Sequence, residues 1–169
     1  MTESSVEPAD VYLSVGSNIA PEQNLKLACQ ALANRYGDLH LSNVYRNAAE
    51  GFSGEAFLNM VIGFRTTARP EHILAHIEEI HDQAQRDRTA NKFSSRTLDL
   101  DLLLYGDVVR EPLKLPHADI ERYSFVARPL AELAPTRKHP VSGKTMQEIW
   151  ANFVQDAHPL EKVELELLQ

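Results

Sequence analysis

Two aspartates, Asp99 and Asp101, stand one leucine apart in the run from Arg96 to Leu103, Arg-Thr-Leu-Asp-Leu-Asp-Leu-Leu. Side chains alternate along a strand, so on a strand both carboxylates share one face, about 7 Å apart at Cα. Leu98, Leu100, Leu102 and Leu104 take the other face. An unpartnered pair of this kind repels and resists ionisation, and a hard cation such as Mg²⁺, which takes oxygen ligands, relieves the repulsion. A strand with one solvated face shows the same alternation without needing a ligand. Two features set this run apart: Asp is disfavoured in strands, and the stretch before it holds Arg86, Arg88, Lys92 and Arg96 against Asp87 alone. Carboxylates for metal beside cations for phosphate are the components of a phosphoryl-transfer site, where catalysis is mostly positioning and charge stabilisation.

The elements that must hold these groups follow from periodicity. Val11 to Val15 reads as a strand ended by the turn cluster Gly16-Ser17-Asn18. Pro21 opens a helix with Leu25, Cys29, Leu32 and Tyr36 on one face, stopped by Gly37. Leu39 to Tyr45 and Phe57 to Thr66 read as strands. Pro70 opens a second helix to about Arg88, with a core stripe of Ile73, Leu74, Ile77, Ile80 and Ala84. Leu98 to Tyr105 is the fourth strand, with a short Val108-Val109 extension after the Gly106-Asp107 turn. Helices around Phe125 to Leu133 and Lys144 to Phe153 follow. The order of the first six elements is βαββαβ, so the expected class is α/β (α+β), a ferredoxin-like core whose antiparallel sheet is flanked by helices. That arrangement hosts many functions and selects none.

The segment from Lys92 to Leu103 closely resembles the signature of the 6-hydroxymethyl-7,8-dihydropterin pyrophosphokinase family of the folate pathway. The resemblance extends from Val11 to about Phe153 through Gly16-Ser17-Asn18, Phe57-Leu-Asn59, Arg86, Arg88, Leu115-Pro116-His117 and the run Phe125 to Pro135. It implies pyrophosphoryl transfer from ATP to the pterin's hydroxymethyl oxygen, with AMP leaving. Asp99 and Asp101 match the pair that binds two Mg²⁺ ions bridging the phosphates. Arg86 and Arg96 resemble the arginines that engage the triphosphate and stabilise the transferred group, with Arg88 and Lys92 nearby. His117 matches a histidine at the nucleotide phosphates. Asn59 matches the asparagine that reads the pterin edge, Phe57 and Phe125 the aromatic positions that sandwich its ring, and Asn47 opens the loop on that side.

Departures from the family pattern concentrate around the same site. His81 stands where the family has a glutamate, and Gln85 replaces a glycine. Ser94 stands where Gly or Ala is usual, and Phe93 where some members have Trp. Tyr123 takes the place of an expected arginine, with Arg122 one position early and Lys114 as another substitute. The loop from Asn47 to Gly51 lacks the Thr-Pro segment that lines the pterin pocket. A divergent paralogue with an altered pterin substrate or a binding-only role is therefore the alternative reading. A nucleotidyltransferase with a Gly-Ser turn and an acidic pair is more distant, because the acids here lie far beyond the turn.

Charge and composition bound the remaining classes. The 169 residues carry 17 Lys and Arg against 24 Asp and Glu, a net charge of −7, and 43% are apolar. One soluble domain is expected. Much of the charge is terminal, −3 in residues 1–10 and −3 in residues 155–169, which leaves −1 between. We therefore expect an acidic extension over 1–10, a single pyrophosphokinase-like domain over 11–154 and an acidic tail over 155–169. Apolar runs are far below the roughly 18 residues of a membrane span, and residues 1–10 have no Lys or Arg and no apolar h-region. No membrane partner and a cytoplasmic location are expected. An RNA-binding module would show aromatics on a basic face, whereas the fourth strand shows aspartates; small-molecule substrates are expected and no nucleic acid. A monomer is expected, with a homodimer as the alternative. Cys29 is a single, buried, inert thiol, so disulfides and Cys-based zinc sites are excluded. His72 and His76, four apart on a helix, read as a solvated face rather than a zinc pair, and His81 as a packed or hydrogen-bonded histidine facing the sheet.

Overall fold

Alternating burial defines the first strand, β1 (Ala9–Ser17), in which Val11, Leu13, Val15 and Ser17 are buried on one face. The computed structural model describes residues 7–47, 57–86, 98–153 and 160–168, without the side chain of Arg86. Helix α1 (Pro21–Tyr36) starts on its proline and buries Leu25, Ala28, Cys29 and Leu32. It ends at Gly37, whose φ of 85° lies in the region glycine tolerates and whose N–H donates to the Ala33 carbonyl. Burial pushes the Cys29 thiol up to about 12, which keeps it protonated and inert as expected.

The strand expected over Leu39 to Tyr45 is two pieces, β2 (His40–Leu41) and β3 (Val44–Asn47). Between them Ser42 bonds Val61 twice, donating its N–H to the carbonyl at 3.0 Å and accepting the Val61 N–H on Oγ at 2.9 Å. The Asn43 N–H then leaves the sheet for the Glu132 carboxylate at 2.9 Å. A side chain from a covering helix thus interrupts the ladder. Strand β4 (Phe57–Thr66) and helix α2 (Pro70–Arg86) begin where their sequence predicts, and β5 (Asp99–Tyr105) carries the aspartate pair. Val108 and Val109 form no strand; a turn leads to an isolated bridge between Arg110 and Leu115 around a 3₁₀ turn, Glu111–Leu113. A short helix that periodicity did not indicate, α3 (Asp119–Arg122), precedes the expected one, α4 (Ser124–Leu133), and the last is α5 (Met146–Ala151), opened by a capping box between Thr145 and Glu148.

With a last strand, β6 (Glu161–Val163), the strands lie in the order β5-β1-β4-β3-β6, with β2 also beside β4, and all these pairs are antiparallel. Strands β1 to β5 with α1 and α2 form the expected ferredoxin-like unit. Strand β6 adds an edge beside β3, and Leu167 beyond it is buried in the core. Asp10, at the other end, lies in β1 and pairs with Arg65 and Arg137. Asp10 and Glu161, which pairs with Arg46, are therefore held by the domain itself.

Each sheet face has its own core. Helices α1 and α2 cover Val11, Leu13, Val15, Leu58, Met60, Ile62, Leu98, Leu100 and Leu102. Helices α3 to α5 cover Val61, Leu103 and Leu104. Leu104 is a correction: alternation alone puts it with Leu98, Leu100 and Leu102. The register against β1 slips between Tyr12, opposite Leu104, and Leu13, opposite Leu102. The extra residue is a β-bulge, and it turns Leu104 to the same side as Leu103. His76 is a second correction. It is buried, its Nδ1 lies 3.2 Å from the Tyr36 hydroxyl, and its ring meets the edge of Tyr36, which stacks on Phe64. His72 is exposed as expected. Among the described residues no helix is long and apolar enough to cross a membrane.

Candidate active site

Residues directly opposite in antiparallel strands share a face, so register places the predicted residues before any side chain is considered. Tyr45, Asn59, Gly16 and Asp99 form one row across β3, β4, β1 and β5. Val61, Ser14 and Asp101 form the next row, and Asn47 faces Phe57 on the other side. Asp99, Asp101, Asn59, Asn47 and Phe57 thereby share the face that α3 to α5 cover only in part. Two strand spacings separate Asn59 from Asp99, about 10 Å at Cα.

Gly16 lies between them. A Cβ at this position would sit 2.8 Å from the Asn59 Oδ1, so only glycine leaves that amide its place. Asn59 is 6% exposed and donates from Nδ2 to the Asn47 Oδ1. The turn after β1 is braced from α1: Asn24 donates from Nδ2 to the Ile19 carbonyl at 2.8 Å and to the Ser17 Oγ at 3.3 Å.

At the other end of the row, the Asp101 side chain is 48% exposed. Burial holds its pKa above the ordinary carboxylate value; His117 opposes this, Asp119 and Asp99 add to it, and His81 opposes it. A carboxylate that is part-buried beside two others fits a divalent cation. His117 is fixed on the outer edge of β5 by its N–H, which donates to the Leu103 carbonyl at 3.0 Å. Its Nδ1 accepts the Asp119 N–H at 3.1 Å, which leaves the ring proton on Nε2, 3.9 Å from the Asp101 Oδ1. Asp101, His117 and Asp119 each offer a ligand atom within 4.8 Å of the others. Sequence reasoning passed over Asp119; its signal was an acid at the first position of a helix, two residues after a singled-out histidine.

His81 faces the sheet as predicted and is 7% exposed. Its Nε2 accepts the Leu100 N–H at 2.9 Å, and its Nδ1 lies 3.2 Å from the Glu78 Oε2. Phe125, in the first turn of α4, stacks on Tyr123 with ring centroids 4.9 Å apart and planes 19° apart. Arg122 is exposed at the end of α3. Arg86 closes α2, but its side chain, all of Arg88, Lys92, Phe93, Ser94 and Arg96, and the loop residues 48–51 lie outside the described residues.

This geometry coincides with a family match. Residues 12–135 match the family model described as 7,8-dihydro-6-hydroxymethylpterin-pyrophosphokinase (HPPK). The chain belongs to the HPPK family. Relatives named 2-amino-4-hydroxy-6-hydroxymethyldihydropteridine pyrophosphokinase include one from Aquifex aeolicus, 33% identical over 83% of this chain and 89% of its own. Another, from Porphyromonas gingivalis, is 36% identical over 75% of this chain and 92% of its own. Among solved structures, Plasmodium falciparum HPPK-DHPS with pterin and p-hydroxybenzoate superposes with a TM-score of 0.67 at 12% identity. That alignment covers 88% of this chain and 44% of the Plasmodium chain, a likeness of fold. The HPPK match runs from β1 through α4, so it contains every row and helix that builds the site, while α5 and β6 lie beyond it.

Proposed function

We propose that this chain catalyses the HPPK reaction, ATP-dependent pyrophosphoryl transfer to 6-hydroxymethyl-7,8-dihydropterin in folate biosynthesis. The hydroxymethyl oxygen attacks the β-phosphorus of ATP. The bond from that phosphorus to the oxygen it shares with the α-phosphorus breaks, AMP leaves with that oxygen, and the hydroxyl proton passes to solvent. The observation that carries the reading is the cross-strand row Asn59, Gly16, Asp99, which sets an amide for a heterocycle about 10 Å from carboxylates for metal, on one face.

Asp99 and Asp101 would hold two Mg²⁺, with Asp119 and His117 adjoining. Bound there, the metal supplies neutralisation of the phosphate charge and a clamp on the attacking and leaving oxygens. The His117 Nε2–H, on the same side as Asp101, donates to a phosphate oxygen. Arg86 and Arg96 stabilise the transferred group, and Arg88, Lys92 and Arg122 help hold the triphosphate. Asn59, steadied by Asn47, reads the pterin edge, and Phe57 and Phe125 take its two faces. The reading places the enzyme in the cytoplasm, acting as a monomer on two small molecules. Stacking of Tyr123 on Phe125 favours a second reading, an altered pterin, and pterins with other 6-substituents distinguish it.

The test is AMP formation from ATP, Mg²⁺ and the pterin. Pterin-dependent AMP that disappears in Asp99→Ala and Asp101→Ala is the expected result. AMP formed without pterin, or binding of both ligands without turnover, would overturn the reading.

A further inference from the structure

We propose that His81 is a positioning residue that sets the carboxylates of Asp99 and Asp101 for cation binding by holding the peptide between them. The proposal rests on the reading that these two aspartates bind Mg²⁺. Among the described residues, strand β5 pairs with β1 and with no other strand, so it is the end strand of the described sheet. Leu100 is buried there, and its N–H bonds to the His81 ring in place of a neighbouring strand's carbonyl, at 2.9 Å. A buried N–H left without an acceptor would be costly, so the ring is held in place of a missing strand.

The bond defines the state of the imidazole. An Nε2 that accepts carries no proton, so the proton is on Nδ1, directed to the Glu78 Oε2 at 3.2 Å. Leu100 is the residue between the two aspartates. That N–H belongs to the Asp99–Leu100 peptide, so holding it sets the plane beside the Asp99 Cα directly and the course of the strand into Asp101 through the Leu100 Cα, while the His117 N–H fixes the strand beyond Asp101 at the Leu103 carbonyl. One helix and one loop thus hold the edge on either side of Asp101.

The experiment measures how much Mg²⁺ is needed for binding of a non-hydrolysable ATP analogue, and amide exchange at Leu100 in the metal-free protein. The variants are His81→Ala, His81→Gln and Asp101→Asn. Loss of an outer support of metal ligands typically weakens metal binding about 10- to 100-fold, so His81→Ala is expected to raise the Mg²⁺ requirement by at least about tenfold. Exchange at Leu100 is expected to accelerate. His81→Gln, whose side-chain oxygen can accept the same N–H, is expected to restore both, and it carries the comparison with His81→Asn if the alanine variant does not fold. A lowered Tm with an unchanged Mg²⁺ requirement in His81→Ala, beside abolished Mg²⁺-dependent binding of the analogue in Asp101→Asn, would overturn the proposal and leave the pyrophosphokinase reading intact. An unchanged requirement in Asp101→Asn as well would overturn both.

Discussion

A missing side chain matters as much at this site as those present. Gly16 lies between the amide of Asn59 and the carboxylate of Asp99, and a Cβ there would press on the Asn59 Oδ1 at 2.8 Å. Gly16→Ala is expected to turn that amide and cost about 1 kcal/mol of pterin binding, the net value of one hydrogen bond, a rise in pterin KM of about fivefold. The KM for ATP should stay within about twofold, and steady-state kinetics with each substrate varied checks the split. Asp101 shows the opposite case, a group present at a cost. Burial holds its pKa up, so its ionised form at neutral pH is disfavoured by the fold. Asp101→Asn is expected to raise the Tm of the metal-free protein at pH 7 and to abolish Mg²⁺-dependent nucleotide binding, read by melting curves with and without Mg²⁺ and nucleotide.

At the scale of elements, histidines do structural work that their own local periodicity does not announce. His139 is buried before α5 and accepts two backbone N–H groups on Nδ1, from Val141 at 3.2 Å and Ser142 at 3.1 Å. Burial lowers its pKa, with Glu121 opposing, and burial likewise lowers that of His76. A histidine whose folded pKa is depressed stabilises the fold above its unfolded pKa of about 6.5, and that stability is lost as pH falls through 6.5 toward the folded value. The Tm is therefore expected to fall between pH 7 and pH 5. The fall should be smaller in His139→Asn, whose side-chain oxygen accepts N–H groups without titrating; melting curves of both proteins across that range are the check. In α2, the 3.6-residue period located Ile73, Ile77, Ile80 and Ala84 in the core, and these are buried. It placed His76 outside because the period describes only the helix's own stripe. The partner that buries His76 is Tyr36, at the end of a different helix.

For the whole molecule, the C-terminal segment extends the sheet beyond the family match. Strand β6 pairs with β3, Glu161 meets Arg46 at 2.6 Å, and Leu167 is 7% exposed. Deletion of residues 160–169 removes a buried leucine, about 1.5–3 kcal/mol. The Tm is expected to fall by roughly 3–12 °C, at about 2–4 °C per kcal/mol for a domain of this size. Because β3 ends at Asn47, which accepts from Asn59, the same deletion should raise the pterin KM more than the ATP KM. Calorimetry and substrate kinetics on the truncated protein test both effects.

Sequence alone determined the main strands and helices of the core and most of the residues each presents to a face, because alternation and helical period are properties of a few neighbouring residues. The paired aspartates, the stripe of α2, the buried thiol and the sheet-facing His81 were all legible in that way, and the phosphoryl-transfer reading followed from them. Tertiary structure decided what those faces meet. Strand order put Asn59 and Asp99 on either side of a glycine that lies more than forty residues from the first in the chain and more than eighty from the second. A bulge moved Leu104 to the opposite core, a covering helix split β2 from β3, and Asp119 joined Asp101 and His117. Each of these depends on contacts between segments distant along the chain, whose pairing no local pattern encodes.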